Sequence, residues 1–254
     1  MIYFYRGFSL FFAKIRKLII LCRHGLFRGA LFNNVAAATE HLKILSGLEL
    51  NSVVDVGANR GQFALAARLS FPSAKIFSFE PLQAPAAVFN AVFAYDAATA
   101  IFNVAIGPEN KKATIHISKS DDSSSLLPIS QLQNKIFAGT SEESQAIIDV
   151  GTLDSFIDRS MIASPAMLKL DVQGYELEAL NGCESIISAF DYVYCECSFV
   201  ELYVGQKLAS DCIKWLQDRG FKLVEIVNPT LDSDKSIIQA DMLFAMGPSV
   251  VESD

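Results

Sequence analysis

Apolar and polar residues follow two alternating patterns along this chain. Val53, Val54 and Val56 form a β-branched run that suits a buried strand, and the stretch FALAARL behind it suits a helix. The alternation recurs until two extended runs, FKLVEIVNP and ADMLFAMG, follow each other without a helix. This order predicts an α/β fold with a mostly parallel sheet, helices on both faces and an antiparallel pairing at the end of the sheet.

The other predicted elements lie between these two regions. Residues 118–149 are polar and are predicted to form a loop, and TLDSFI begins a short helix capped by Thr152 or Asp154. The remaining strands are AKIFSFEP, TAIFNVAIG, KKATIHIS, AMLKLDVQG and YVYCECSF, and the remaining helices are APAAVFNAVFAY, YELEALNGCESII and LASDCIKWLQDRG.

The turn GANRG, at residues 57–61, has the position of a nucleotide-binding loop between a strand and a helix. A dinucleotide fingerprint G-x-G-x-x-G would need glycine where Asn59 and Gln62 stand, and a P-loop would need a Lys-Ser/Thr pair. Asp55, just before the turn, would repel a phosphate but suits an ammonium or sulfonium group. A ligand with an adenosine, a positive charge and no phosphate is S-adenosylmethionine.

The second predicted strand ends on an acid that fits the same ligand. Glu80 follows the glycine turn by about 20 residues, which is the spacing at which an acid hydrogen-bonds both ribose hydroxyls in nucleotide-binding folds. A solvated strand end is the plain alternative for Glu80, as an ordinary strand-to-helix turn is for GANRG. The glycine turn and Glu80 occur together, in the expected order and at the expected spacing, and this favours an adenosine-binding site.

Composition and charge narrow the class of protein. A chain of 254 residues with 51% hydrophobic residues can bury the core of one α/β domain. Five cysteines do not suggest a disulfide framework, and we expect reduced thiols in a cytoplasmic protein. Residues 40–254 hold 15 basic and 28 acidic residues with no basic stripe, so nucleic acid is not an expected partner.

The chain resembles the FkbM family of S-adenosylmethionine-dependent methyltransferases over about residues 40–247. That resemblance implies a Rossmann-like class I methyltransferase fold with a seven-stranded, mostly parallel sheet, and methyl transfer to hydroxyl oxygens, often on sugars of polysaccharides or glycolipids. The stretches that carry it are VVDVGANRGQF, FSFEPL, NVAIG, SSSLLP, VGTLDSF, LKLDVQGYELEALNG, ECSFVELYVGQ and QADMLFA.

The residues and the resemblance together give a candidate site. A loop containing SSSLLP is expected to fold over the cofactor or the acceptor. The candidates for cofactor binding are Asp55, Gly57, Ala58, Asn59, Gly61, Gln62, Phe63, Glu80, Pro81, Ala105 and Asp171. The candidates for acceptor binding are Ser124, Ser125, Gln173 and Glu201, and no metal ligand is expected.

The catalytic candidates are Asp171, Glu196 and Lys169. A sugar hydroxyl is a poor nucleophile, so a base or a metal must take its proton as it attacks. Asp171 lies at the end of a predicted core strand, where ligands of open parallel sheets bind. The structural alternative for Asp171 is to cap the next helix or to hold the amide of Gln173. For Lys169 it is an ion pair with an acid, and for Glu196 it is a buried acid that has to be paired.

We therefore expect an O-methyltransferase of a carbohydrate or glycolipid hydroxyl. The sequence leaves open an N- or O-methyltransferase of a small natural product, and a non-catalytic cofactor-binding scaffold. It identifies neither the acceptor nor a metal requirement.

The first 39 residues form a separate basic helical segment in this interpretation, before a methyltransferase domain at 40–250. They carry six basic residues and no acid, and apolar residues recur at helical spacing. We expect residues 1–33 to rest on an anionic membrane surface at the inner face, or else to pack on the domain or on the second subunit of a homodimer. Charges inside the apolar run argue against a spanning helix.

Overall fold

The computed structural model of this chain describes residues 24–247. The strands are β1 (Ser52–Val56), β2 (Lys75–Phe79), β3 (Thr99–Phe102), β4 (Ala105–Ile106), β5 (Lys111–Ser118), β6 (Glu142–Gly151), β7 (Ala166–Leu170), β8 (Tyr192–Ser198), β9 (Phe221–Leu231) and β10 (Ile237–Met246). The α-helices are α1 (Gly25–Leu31), α2 (Leu42–Leu45), α3 (Gln62–Ser70), α4 (Gln83–Val92), α5 (Gln131–Ile136), α6 (Glu176–Gly182) and α7 (Ala209–Gln217). Short 3-10 helices span Thr39–His41, Asp121–Ser123, Leu153–Ser155, Arg159–Met161 and Glu184–Ala189.

Seven strands form the central sheet in the order β3-β2-β1-β7-β8-β10-β9. The pairings among β3, β2, β1, β7 and β8 are parallel, whereas β10 runs antiparallel to both β8 and β9. This confirms the predicted sheet and its antiparallel end, and gives the Rossmann-like class I methyltransferase fold. β10 runs antiparallel to β9 because the short connection between the two strands can join only antiparallel neighbours.

Helices cover both faces of the sheet, as predicted. Every residue of β1 is buried, and alternate side chains enter different cores. Val54 packs in the core that contains Leu180 of α6 and Leu216 of α7. Val53 packs in the core that contains Leu65 of α3 and residues of α1 and α4. Continuous β-branched runs such as that of β1 therefore mark strands covered on both sides.

The prediction of a polar loop at 118–149 is wrong. This region contains α5 and β6, and β6 pairs antiparallel with β5 and parallel with β4 in a second, three-stranded sheet. Most residues in the first half of β6 are exposed, so its sequence lacks the apolar alternation of a half-buried strand. The predicted strand TAIFNVAIG likewise divides between the two sheets, with β3 in the larger and β4 in the smaller.

The chain before β1 packs closely on the domain. Phe27 and Ala30 of α1, together with Val35 and Ala37, are buried in the core beneath α3. The predicted apolar stripe lies within residues 1–23, outside the described residues. Across 24–247, no helix is long and apolar enough to cross a membrane. The four cysteines in this range are free and buried.

Candidate functional site

A cavity of about 290 Å³ opens at the carboxyl ends of β1, β2 and β7. This is where ligands bind in open parallel sheets, and the volume is close to the lower end for small-molecule sites. Its walls come from segments that are far apart in the sequence. These segments are 36–41, 56–63, 79–82, 105–106, 122–126 and 169–175, with Ile115 beside them.

The glycine turn is shaped by close packing as well as by its position at the cavity. Gly57 adopts a φ of 82°, and a Cβ there would lie 1.8 Å from the backbone oxygen of Asp171. Gly61 adopts a φ of 94°, and a Cβ there would collide with the rings of Phe89 and Phe93. The two glycines therefore let β1 approach the end of β7 and let α3 approach α4.

Glu80 is the best-held acid on this side of the cavity. One carboxylate oxygen accepts a hydrogen bond from the backbone amide of Asn59 at 2.9 Å, and the other from that of Leu82 at 2.8 Å. Glu80 is only 6% exposed and lines the cavity. The glycine turn and the end of β2 are thus joined through this carboxylate.

A buried ion pair connects β1 with β7 beneath the cavity. Lys169 Nζ lies 3.2 Å from Asp55 Oδ1, 3.5 Å from Asp171 Oδ2 and 3.4 Å from the carbonyl of Gly57. Burial opposes the charge of Lys169, but the carboxylates of Asp55 and Asp171 raise its pKa above the ordinary value. Lys169 therefore stays protonated, and its charge holds Asp171 at the rim. Asp55 itself is fully buried, and its pKa is raised by burial.

Gln173 orients Asp171. Its amide nitrogen donates to Asp171 Oδ1 at 2.8 Å and to Glu196 Oε2 at 3.2 Å, and its amide oxygen accepts from the Tyr203 hydroxyl at 2.8 Å. The other oxygen of Glu196 accepts from Gln239 at 2.8 Å. Burial is the main cause that raises the pKa of Glu196 well above its usual range, and the carboxylate of Asp171 adds to the increase. Glu196 is thus a partly buried acid behind the Gln173 amide rather than in the cavity wall.

The segment that contains Ser124 and Ser125, called the serine segment, lies over the part of the cavity beside Gln173. The hydroxyl of Ser125 donates to the backbone oxygen of Gln173 at 2.6 Å, and that of Ser124 accepts from the amide of Ser118 at 3.1 Å. Both serines line the cavity together with Asp122. Glu201 is exposed and accepts from the amide of Gly205 at 2.7 Å, so it closes a turn away from the cavity.

His41 is a cavity residue that sequence reasoning missed. It ends the 3-10 helix Thr39–His41, and its Nδ1 lies 2.9 Å from the Tyr194 hydroxyl and 3.6 Å from Asp241 Oδ2. The ring packs edge-on against Phe63 and Tyr194. Burial lowers the pKa of His41 below its ordinary 6.5, while Asp241 opposes the shift.

Sequence spacing gave no sign of His41, because its partners lie on β8 and β10. Asp241 offered a weak signal as an acid inside an apolar strand, where a charge must be paired. Burial raises the pKa of Asp241, and the amide of Asn228 donates to its Oδ2 at 2.8 Å.

The structure brings together most of the candidate site residues but not all of them. Asp55, Gly61, Glu196 and Glu201 do not line the cavity. Those that do line it are Gly57, Ala58, Asn59, Gln62, Phe63, Glu80, Pro81, Ala105, Ser124, Ser125, Lys169, Asp171 and Gln173.

Comparison with known proteins agrees with this architecture. A sequence model of the Methyltransferase FkbM domain matches residues 55–223. The 2-O-methyltransferase NoeI of Sinorhizobium fredii is 26% identical over an aligned length of 174, and the alignment covers 65% of this chain and 72% of that protein.

Two solved methyltransferase structures show a more distant likeness. Precorrin-6y C5,15-methyltransferase of Geobacter metallireducens matches with a TM-score of 0.46 and 11% identity, over 85% of this chain and 95% of that one. An rRNA methylase of Streptococcus thermophilus matches with a TM-score of 0.42 and 11% identity, over 82% of this chain and 94% of that one. Such scores carry no information about the acceptor. The domain match, which covers more than half of the chain, shows that this protein belongs to the FkbM family and is an S-adenosylmethionine-dependent methyltransferase.

Proposed function

We propose that this methyltransferase acts on a hydroxyl oxygen of a carbohydrate or glycolipid. The observation that carries the proposal is one cavity lined both by Glu80, held by two backbone amides, and by Asp171 and His41. The name of the relative NoeI, a 2-O-methyltransferase, supports oxygen as the accepting atom. The carbohydrate rests on the resemblance to a family that commonly methylates sugars.

The residues around the glycine turn fit S-adenosylmethionine. A carboxylate accepts up to about four hydrogen bonds, so the two amides on Glu80 can orient it while it also contacts a ribose diol. Among the described residues, the buried Asn59 Oδ1 accepts no hydrogen bond, which leaves an unpaired acceptor beside the same turn. We assign the adenosine end of the cofactor to Gly57, Asn59 and Glu80, with Ala58, Gln62, Phe63, Pro81 and Ala105 around it.

The charge of the cavity suits a sulfonium. Among residues 24–247, four carboxylate side chains and one lysine line it, and the lysine is paired with Asp55 and Asp171. His41 adds no charge near neutral pH, since its pKa is lowered by burial. A negative lining attracts a cationic ligand and repels a phosphate. The four carboxylates belong to Glu40, Glu80, Asp122 and Asp171.

The other end of the cavity is assigned to the acceptor. When bound, S-adenosylmethionine supplies a methyl group already activated by its sulfonium, so the protein has to position the acceptor and remove a proton. The Asp171 side chain is 36% exposed, and Lys169 and Gln173 fix its carboxylate, so it is placed to accept a hydrogen bond from an acceptor hydroxyl. Ser124 and Ser125 of the serine segment offer further hydroxyl groups that can contact the acceptor.

The test is a methyl-transfer assay with labelled S-adenosylmethionine and a panel of methyl glycosides of hexoses and 6-deoxyhexoses, together with bacterial glycolipid extracts. We expect labelled, alkali-stable methyl ethers on at least one sugar class, with the position fixed by fragmentation in mass spectrometry. A Glu80→Ala variant should lose activity, and the matched Glu109→Ala variant at an exposed site should keep it. Transfer only to amines or to non-sugar metabolites would contradict the carbohydrate proposal.

We also propose that residues before 24 contact an anionic membrane surface. The support is the sequence, with its basic residues and apolar stripe. Phe27, which lies within the predicted helix of residues 1–33, is buried in the domain core and is not available for this contact. The full chain should sediment with phosphatidylglycerol vesicles at low salt and be released at high salt, whereas a chain starting at residue 24 should not sediment. Equal behaviour of the two chains would contradict the proposal.

A further inference from the structure

His41 and its partners form a polar group that connects the cavity to the antiparallel end of the sheet. His41 Nδ1 contacts the Tyr194 hydroxyl at 2.9 Å, and the Asp241 carboxylate interacts with the same hydroxyl. Tyr194 is 1% exposed, and burial together with the Asp241 carboxylate raises its pKa. The phenol therefore keeps its proton, and a carboxylate is the best acceptor for it.

This arrangement selects one tautomer of His41. If the Tyr194 hydroxyl donates to Asp241, its oxygen accepts a hydrogen bond from the Nδ1–H of the imidazole. The lone pair of the neutral ring is then on Nε2. No described residue hydrogen-bonds to Nε2, and His41 lines the cavity. Nε2 is thus the ring nitrogen that a molecule in the cavity can reach.

We propose that His41 is the general base of the methyl transfer, with Tyr194 and Asp241 as the residues that position its ring. The inference deepens the proposed function and rests on it. As the acceptor oxygen forms its bond to the methyl carbon, the carbon–sulfur bond breaks and its electron pair stays on sulfur. The hydroxyl proton passes to Nε2, and the imidazolium releases it to water afterwards.

The surroundings of His41 favour this role. Lys169 is too strongly held in its charged form to accept a proton, and Glu196 does not reach the cavity wall. A neutral imidazole can accept one, and negative groups then stabilise the imidazolium. The groups that face His41 are Asp241 on β10, Tyr194 on β8, Lys169 on β7, Asp171 after β7 and Glu40 on its own helix.

The first experiment does not depend on turnover. Nitrogen NMR of the His41 ring, with and without S-adenosylhomocysteine, reports both its pKa and its tautomer. We expect a pKa below 6.5 with the neutral-state proton on Nδ1, and a lower pKa still in the Asp241→Asn variant because Asp241 favours the charged ring. A ring that is protonated at pH 7, or one that carries its proton on Nε2, would overturn the proposal.

The second experiment uses His41→Asn, with His116→Asn as the matched control. His116 also lies beside a carboxylate, that of Glu142 at 2.8 Å, but outside the cavity wall. His41→Asn should lower kcat at least about 100-fold and keep the affinity for S-adenosylhomocysteine, while His116→Asn stays within about 3-fold of the wild type. The rate of the wild type should fall as the pH drops below 6.5, and Asp241→Asn should move this fall to lower pH.

The outcomes separate the two proposals. If the wild type is active and the kcat of His41→Asn lies within a few-fold of the wild-type kcat, His41 is not the base. Asp171 then remains as the base. A wild type that binds S-adenosylhomocysteine but methylates no hydroxyl would overturn the proposed function instead. The ring titration still decides the state of His41 in that case.

Discussion

The two ends of the cavity are built from the chain in different ways. The end assigned to the cofactor comes almost wholly from residues 55–82, one strand–turn–helix–strand unit in which Glu80 reaches back to the amide of Asn59. The end assigned to the acceptor comes from a helix before β1, a covering segment near residue 124 and the turn after β7. His41 meets Tyr194 across 153 residues of sequence.

That contrast indicates which parts of such an enzyme can change independently. A local unit keeps its geometry as long as its own strand, turn and helix form. The acceptor end depends on packing among distant segments, so substitutions in any of them alter it. This suits a fold in which one cofactor serves many acceptors, since site chemistry varies on a shared scaffold.

The largest expected effect is at the ion pair that joins the two ends. Asp55→Asn removes the charge that balances Lys169, which would be left buried with only Asp171 nearby. We expect a loss of about 3–5 kcal/mol in the free energy of unfolding, measured by urea denaturation. The matched control is Asp149→Asn, which breaks the exposed pair with Lys112 and should cost at most about 1 kcal/mol. Equal losses of unfolding free energy in Asp55→Asn and Asp149→Asn would show that the buried ion pair does not hold the two ends of the cavity together.

The next effect separates the acceptor end from the cofactor end. Asp171→Asn keeps the shape of the side chain but removes the charge, and should lower kcat by roughly 100-fold while the affinity for S-adenosylhomocysteine is unchanged. Steady-state kinetics and calorimetry measure the two quantities. Asp218→Asn, at an exposed pair on the surface, serves as the control. Unchanged turnover in Asp171→Asn would reduce this residue to a partner of Lys169 and Gln173.

The opposite pattern is expected at Glu80. Glu80→Ala removes a charged acceptor from the cofactor end and should weaken S-adenosylhomocysteine binding by roughly 1.5–3 kcal/mol, in calorimetry. The free energy of unfolding should also fall, because the amides of Asn59 and Leu82 lose their acceptor. Thermal unfolding without ligand measures that second effect. Full affinity in the variant would place the ribose elsewhere.

The effect that is smallest per pH unit is on the slope of stability against pH. Burial raises the pKa of Glu176 from 4.5 to about 8, and its carboxyl accepts from the amides of Val172 and Gly174 in the turn that carries Gln173. The folded protein therefore holds this proton where the unfolded chain has lost it. The resulting stability is full below pH 4.5 and is lost as the pH rises toward 8.

Glu176→Gln should remove its share of that slope, at most about 1.4 kcal/mol per pH unit, in urea denaturation between pH 5 and 8. Glu143→Gln, at an exposed position, is the matched control and should leave the slope as it is. An unchanged slope in Glu176→Gln would mean that the turn does not hold this carboxyl protonated.

The same contrast between local and distant contacts explains which elements and site residues could be predicted from the sequence. The buried parallel strands were predictable, because each presents a continuous apolar run, and Glu80 was predictable from its distance to the glycine turn. β6 was not, since its exposed first half carries polar residues on both faces. His41 and Asp241 were not assigned to the site, because no local pattern shows that β10 returns beside β8.

The glycines show a subtler limit. Gly57 and Gly61 were identified correctly as turn residues. In the structure, however, the atoms that leave no room for a Cβ belong to the Asp171 backbone and to two phenylalanine rings. A glycine motif thus records that backbones or rings approach closely. It does not by itself say whether the neighbour is a ligand or the protein.

The most direct test of the two-ended cavity is a crystal structure with S-adenosylhomocysteine bound. We predict both ribose hydroxyls within hydrogen-bond distance of the Glu80 carboxylate, and the sulfur atom turned toward the space between Asp171 and His41. A ligand bound outside this cavity would contradict it. So would a ligand in the cavity whose sulfur faces away from both residues.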